Sequence, residues 1–138
     1  ILGHHLTFTP RVREALELHR LVDLHAMIDL SDGLAADLYH LFDESGVGAT
    51  LFEDSLPISD AACRMTDNRS SLEHALSDGE DFELLFAVSP SDGAKLLSTT
   101  GDVTATRIGE IESQPGCRIQ MRDGSVREVP RGGWEHSF

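Results

Sequence analysis

Ala26-Met27-Ile28-Asp29-Leu30-Ser31-Asp32-Gly33-Leu34 decides how this chain is read. A short apolar run ends in two carboxylates flanking a serine, then comes a glycine, then an amphipathic segment. Residues 26–30 read as a buried strand. Leu34 to Glu44 reads as a helix with Leu34, Leu38, Leu41 and Phe42 on one face and Gly46 as its stop. The stretch is therefore a strand-turn-helix junction with its acids crowded at the turn. Asp29 and Asp32 can share one hard cation such as Mg²⁺, which prefers oxygen ligands and keeps several waters. The Ser31 hydroxyl and the free N–H groups opening the helix suit an anion beside that cation. The same residues also allow an Asx turn in which Ser31 or Asp32 is an ordinary N-cap.

Working outward, Thr9-Pro10 predicts a helix start, with Thr9 as cap and Pro10 at the first helical position. Val12, Ala15, Leu16, Leu18, Leu21 and Val22 then recur at near-helical spacing. Residues 49–52 predict a strand, 60–65 a short helix and 72–76 one more helical turn. Residues 82–88 form a nearly continuous apolar run, which suits a strand covered on both faces. Ser89-Pro90-Ser91 opens another helix, to about Leu97. Strands are expected at 104–111 and 118–122, with Asp123-Gly124 as a hairpin turn into 126–129. Alternating helices and strands predict a layered α/β (α+β) sandwich, a mixed sheet covered by helices, in one domain spanning residues 1–138. Ligands of such sheets lie outside the carboxyl ends of strands, where Asp29 to Asp32 falls.

Charge narrows the partners. Against 11 basic residues stand 24 acidic ones, a formal net charge of −13. Such a surface repels nucleic acid and anionic membrane, so neither is an expected partner. It suits divalent cations, and a phosphorylated ligand once metal bridges the two. No apolar run reaches the length of a membrane span. Cys63 and Cys117 form no Cys-x-x-Cys pair; free thiols in a reduced cytoplasm are expected over a disulfide. The opening has neither an initiator Met nor the basic region of a signal peptide, which predicts a domain excised from a longer protein.

A second acidic cluster, Asp78-Gly79-Glu80-Asp81, leads into the apolar run. Its acids must be solvated, paired or metal-bound. Glu83, inside the run, predicts a partner, for which Arg107 is a candidate. In the tail, Gly132-Gly133 lets the backbone bend before Trp134, the only tryptophan. That ring either closes the core edge or offers a flat face to an aromatic, particularly cationic, ligand. The histidines show no zinc-site spacing, and His40 is expected in solvent. Ser31 lacks a nucleophile-elbow pattern, which argues against a serine hydrolase.

Taken in order, these segments resemble the C-terminal half of the thiamine-monophosphate kinase family, within the superfamily of aminoimidazole ribonucleotide synthetase. The likeness is carried by His5-Leu6 with Pro10-Arg11-Val12, by Ala26 through Leu34 with Asp37-Leu38, by Ser45-Gly46-Val47-Gly48-Ala49 and by Leu56-Pro57. It continues through Gly79-Glu80-Asp81-Phe82-Glu83-Leu84-Leu85-Phe86, Arg107-Ile108-Gly109, and Gly133-Trp134 with His136 and Phe138. The resemblance implies the C-terminal fold of the synthetase (the PurM C-terminal type). It implies transfer of the γ-phosphoryl of ATP to thiamine monophosphate, supported by Mg²⁺. Position by position, Asp29 and Asp32 become metal ligands, Ser31 a nucleotide contact, Glu80 a substrate contact and Trp134 a wall for the thiamine rings. No catalytic base is implied.

The resemblance further implies a missing N-terminal ATP-binding half, homodimer contacts through that half, and inactivity of this chain alone. Asp78 departs from the family's usual glycine, predicting a tighter or more charged loop, and Ser137 separates His136 from Phe138. Two other functions fit the same pattern: another ATP-dependent synthetase of the superfamily, or a non-enzymatic module whose acidic loops bind cations or a partner.

Overall fold

The computed structural model describes residues 9–79 and 81–133. Among the described residues six strands and five α-helices follow one another: α1 (Val12–Leu21), β1 (Leu24–Asp29), α2 (Leu34–Ser45), β2 (Gly48–Phe52), α3 (Asp60–Arg64), α4 (Ser71–Ser77), β3 (Leu84–Val88), α5 (Pro90–Ser98), β4 (Gly109–Glu112), β5 (Gly116–Gln120) and β6 (Val126–Val129). The main sheet has the order β4-β2-β5-β6. Its central pair, β2 and β5, is parallel and the outer pairs are antiparallel, so the sheet is mixed as expected. A separate antiparallel ribbon, β1 with β3, was not foreseen; Asp29 lies opposite Leu84 in its register.

Alternation along β3 explains the continuous apolar run. Leu85 joins a main core with Leu34, Leu38 and Phe42 of α2, Leu76 of α4, Leu51 of β2 and Ile119 of β5. Leu84, Phe86 and Val88 point the other way, into a second core around Leu18, Val22 and Leu96. The ribbon thus separates two cores, and Leu84, Leu85, Phe86 and Val88 of β3 each pack into one of them. Leu76 is 0% exposed. Leu76→Ala is expected to cost about 2–5 kcal/mol, the usual range for emptying a leucine site in a packed core. Chemical denaturation of the chain measures it.

Local signals work where side chains act on their own backbone. Ser89 caps α5 by accepting the Asp92 N–H, with Pro90 opening the helix. Gly46 ends α2 at φ 67°. In the hairpin, Gly124 at φ 86° turns the chain while Asp123 Oδ1 accepts from Ser125. Across elements, the Tyr39 hydroxyl donates to Val129 O at 2.8 Å and accepts the Cys117 N–H at 3.3 Å, tying α2 to β5 and β6. Cys63 is exposed, Cys117 is buried, and both are free thiols. Burial pushes the Cys117 thiol up to about 11, so it stays protonated.

Several boundaries differ from expectation: β1 runs Leu24–Asp29 rather than 26–30 and β5 Gly116–Gln120 rather than 118–122. Helix α1 starts at Val12, not Pro10, and no side chain caps it. The Arg11 guanidinium instead bonds Glu14 and Glu83. β3 starts at Leu84 because Phe82 adopts φ 51°, a left-handed conformation incompatible with a strand. Residues 104–108 are not a strand: Val103 and Ala105 pack on the second core, and pairing with β2 is regular only from Gly109. No described helix is long and apolar enough to cross a membrane.

Candidate functional site

The ladder of β1 and β3 runs one step past Asp29. Leu30 N–H donates to Glu83 O, and Phe82 N–H donates to Leu30 O, both at 2.8 Å. The chain then turns through Ser31-Asp32-Gly33 into α2. Gly33 is the N-cap residue, at φ 104°, and no side chain caps the helix. Ser31 and Asp32 are therefore not the N-cap that the sequence also allowed. Gly33 is required twice over: its φ favours glycine, and a Cβ there would lie 2.9 Å from Ser77 O.

Asp37 organises the turn from below. It is 1% exposed, and its Oδ2 accepts the Ser31 N–H at 2.9 Å and the Asp32 N–H at 3.1 Å. Two amide donors and the first turn of α2 offset the cost of burying this carboxylate. Helical spacing from Leu34 and Leu38 is the signal that puts it on the core side of α2.

Above Asp37 the Asp32 carboxylate is exposed. Ligand atoms of Asp32, Asp37 and His40 all lie within 4.8 Å of one another. Two carboxylates offer the oxygens a hard cation prefers, so Asp32 and Asp37 fit Mg²⁺ by donor type; the His40 nitrogen is a poorer match for it. His40 is largely in solvent, as expected, yet it stands 3.9 Å from Asp32 Oδ2. Asp29 lies outside this group of three. It lines a cavity of about 240 Å³ with Arg11, Val12 and Phe82.

The second acidic loop meets the first backbone to backbone. A Cβ on Gly79 would lie 2.5 Å from Ser31 O, matching the close approach of Gly33 to Ser77. Gly133, at φ 75°, rests on the Ser77 side chain. Among the described residues, Ser77 Oγ is buried without a hydrogen-bond partner. Glu80 and Trp134, the expected substrate contacts, lie outside the described residues. Of their predecessors, Gly79 is brought against the acid turn and Gly133 against the Ser77 side chain beside it. Ser31 joins the same junction through its carbonyl.

Pairing differs from expectation at two positions. Glu83 is 51% exposed and its partner is Arg11, at 2.7 Å, not Arg107. The turn at Phe82 aims Glu83 out of the ribbon, and Arg107 pairs with Glu110 beside it. Asp78 adds no unbalanced charge to its loop: Arg69 lies 2.9 Å from it and the buried His74 2.8 Å. His74 was missed in the sequence. Its only signal is its place between Leu72 and Leu76 on the core side of α4, with acids on either side at 67 and 78.

Hydrogen bonds from His74 to Asp67 and Asp78 raise its pKa above the ordinary 6.5. Asp67, accepting the Arg69 N–H and bonded to His74, is held below the usual carboxylate range. The imidazolium therefore contributes stability that is complete below the ordinary histidine value and is lost as pH rises through the raised one. Asp67 contributes above the ordinary carboxylate value and is lost in acid. Melting temperature is expected to fall as pH rises past the ordinary histidine value and through the raised one, and less steeply in His74→Gln.

The sequence pattern of the family described as AIR synthase related protein, C-terminal domain, matches residues 1–122. Over 138 residues the chain is 41% identical to thiamine-monophosphate kinase of Rhodopirellula baltica, covering 99% of this chain and 44% of that protein. The crystal structure of thiamine-monophosphate kinase from Stenotrophomonas maltophilia K279a is 38% identical, with a TM-score of 0.68 over 84% of this chain and 36% of that one. A structure of AaThiL complexed with AMPPCP and TMP is 29% identical, with a TM-score of 0.74 over 99% of this chain and 40% of that one. The chain spans less than half the length of these relatives.

Proposed function

The chain belongs to the AIR synthase related proteins, as their C-terminal domain, and on that basis we propose that it is the C-terminal half of an ATP- and Mg²⁺-dependent thiamine-monophosphate kinase. One observation supports this most: the acid turn and the Gly79 loop meet backbone to backbone, and Gly133 lies against the Ser77 side chain next to them. Of the residues that the family likeness implies, Asp32 lies in that turn, while Glu80 follows Gly79 and Trp134 follows Gly133 in sequence. Likeness to the Rhodopirellula baltica and Stenotrophomonas maltophilia kinases supports the substrate. The AaThiL complex with AMPPCP supports ATP as donor.

Transfer of a phosphoryl group between two phosphates needs alignment and charge neutralisation more than covalent help. Bound Mg²⁺ supplies the neutralisation. In this reading Asp29 and Asp32 carry metal, with Asp37 holding the turn rigid through its two amide bonds. Ser31 and the uncapped start of α2 face the nucleotide phosphates. Glu80 contacts thiamine monophosphate, and Trp134 stacks on its cationic ring. No residue of this chain is assigned as a base.

The chain completes this site only with an N-terminal half, through which the full-length protein dimerises, in the cytoplasm; alone it is inactive. Thiamine diphosphate formation by the full-length protein, given thiamine monophosphate and Mg-ATP and read by chromatography, tests the function. Stoichiometric diphosphate and ADP support it. No product from a folded protein that binds Mg²⁺ overturns it in favour of another superfamily reaction or a binding module. Trp134→Ala is expected to raise KM for thiamine monophosphate about tenfold with kcat little changed, the pattern of lost ground-state binding. Steady-state kinetics checks it.

A further inference from the structure

We propose that His74 is a positioning residue of this site: a doubly protonated clamp that holds Ser77-Asp78-Gly79 against the Ser31-Asp32-Gly33 turn. Its effect on catalysis rests on the kinase reading; its geometry does not. The ring is 2% exposed. Nδ1 lies 2.8 Å from Asp78 Oδ2, and Nε2 lies 3.0 Å from Asp67 Oδ1. An ionised carboxylate only accepts, and a neutral imidazole donates from one nitrogen alone. Two carboxylates at these distances therefore select the imidazolium.

Arg69 completes the clamp. Its Nη1 donates to Asp78 Oδ1 at 2.9 Å, its Nη2 to Glu73 O at 3.2 Å, and its backbone N–H to Asp67 Oδ1 at 2.9 Å. The charged groups facing the ring are Asp67 and Asp78, with Arg69 across Asp78, so two cations meet two carboxylates. Such a cluster is weak evidence for stability, since desolvation cancels much of its attraction. What it fixes is position. Asp78 is gripped by its side chain from two directions, and its N–H donates to His74 O at 2.9 Å.

Position matters here because there is no slack on either side of Asp78. Ser77 O is the atom a side chain on Gly33 would strike, and Ser31 O the atom a side chain on Gly79 would strike. Any movement of Asp78 is passed to the turn that carries Asp32 and to the loop that carries Glu80. A displacement of about 1 Å in a positioning element can cost on the order of a hundredfold in rate.

The test uses the full-length protein with His74→Gln and Asp67→Asn. Nitrogen-detected NMR of the wild-type ring near neutral pH is expected to show both nitrogens protonated. Both variants are expected to shift the backbone amide signals of Ser31, Asp32 and Gly33. His74→Gln is expected to raise KM for thiamine monophosphate about tenfold, with a smaller change in kcat. Asp67→Asn carries the same readouts should His74→Gln fail to fold. A ring with one proton overturns the clamp, as do unmoved amide signals in variants that merely melt earlier. A wild-type protein that makes no thiamine diphosphate defeats the kinase reading alone, because the ring and amide signals still decide the clamp.

Discussion

Asp32→Asn in the full-length protein is expected to lower kcat for thiamine diphosphate formation by about 10²–10³-fold, the scale of losing one charge-stabilising group at a phosphoryl-transfer site. The substitution keeps the shape and one oxygen but removes the negative charge. Asp32 is the exposed member of its cluster with Asp37 and His40, so it meets solvent-borne ions directly. Its backbone N–H is already held by Asp37, and that bond survives the change. The turn is therefore expected to stay in place and, on the proposed reading, the loss to fall on metal binding. Raising Mg²⁺ is expected to recover part of the activity. Asp29→Asn is the comparison: a cation shared by both residues gives the same shift in Mg²⁺ dependence, and separate cations give different ones. Equal melting temperatures for wild type and Asp32→Asn, with unchanged turnover, would reject the assignment.

The legible parts of this chain were those set by neighbours in sequence. Gly46 at the end of α2, Ser89-Pro90 at the start of α5 and Asp123-Gly124 in the hairpin each act through a bond to a residue a few positions away. Periodicity gave α2 its buried face, and the order of turn and helix put Asp29 to Asp32 at a strand end. The illegible parts depend on contacts distant in sequence. A local pattern does not show that β1 and β3 leave the main sheet for a ribbon of their own, since that follows from which core each face meets. It does not show that Phe82 takes a positive φ while its N–H bonds Leu30, a residue far away in sequence. Arg11 and Glu83 are 72 positions apart, and only the ribbon brings them together. In the site, residue types announced the acids, whereas the close approaches of Gly33 to Ser77 and Gly79 to Ser31 are tertiary facts.

Gly79→Ala follows from that last contact. An ideal Cβ at Gly79 lies 2.5 Å from Ser31 O, with Asp32 backbone atoms at 3.4 and 3.5 Å behind it. A methyl carbon needs about 3.5 Å or more from such atoms, so one strand of backbone has to move. Neither side yields freely. Ser31 N–H is fixed on buried Asp37, and Asp78 is held by His74 and Arg69. Crowding a packed contact in this way costs about 1–3 kcal/mol. Because the clash separates the two acidic loops, turnover is expected to fall more than stability does, by about a hundredfold for a displacement near 1 Å. Gly124→Ala serves as the control: a Cβ there meets nothing within 4 Å, and its φ of 86° confines the cost to local strain. Loss of stability with retained activity in Gly124→Ala, and the reverse in Gly79→Ala, is the result that ties the glycine at 79 to the site rather than to the fold. Equal activity in both variants would mean that the two loops act independently.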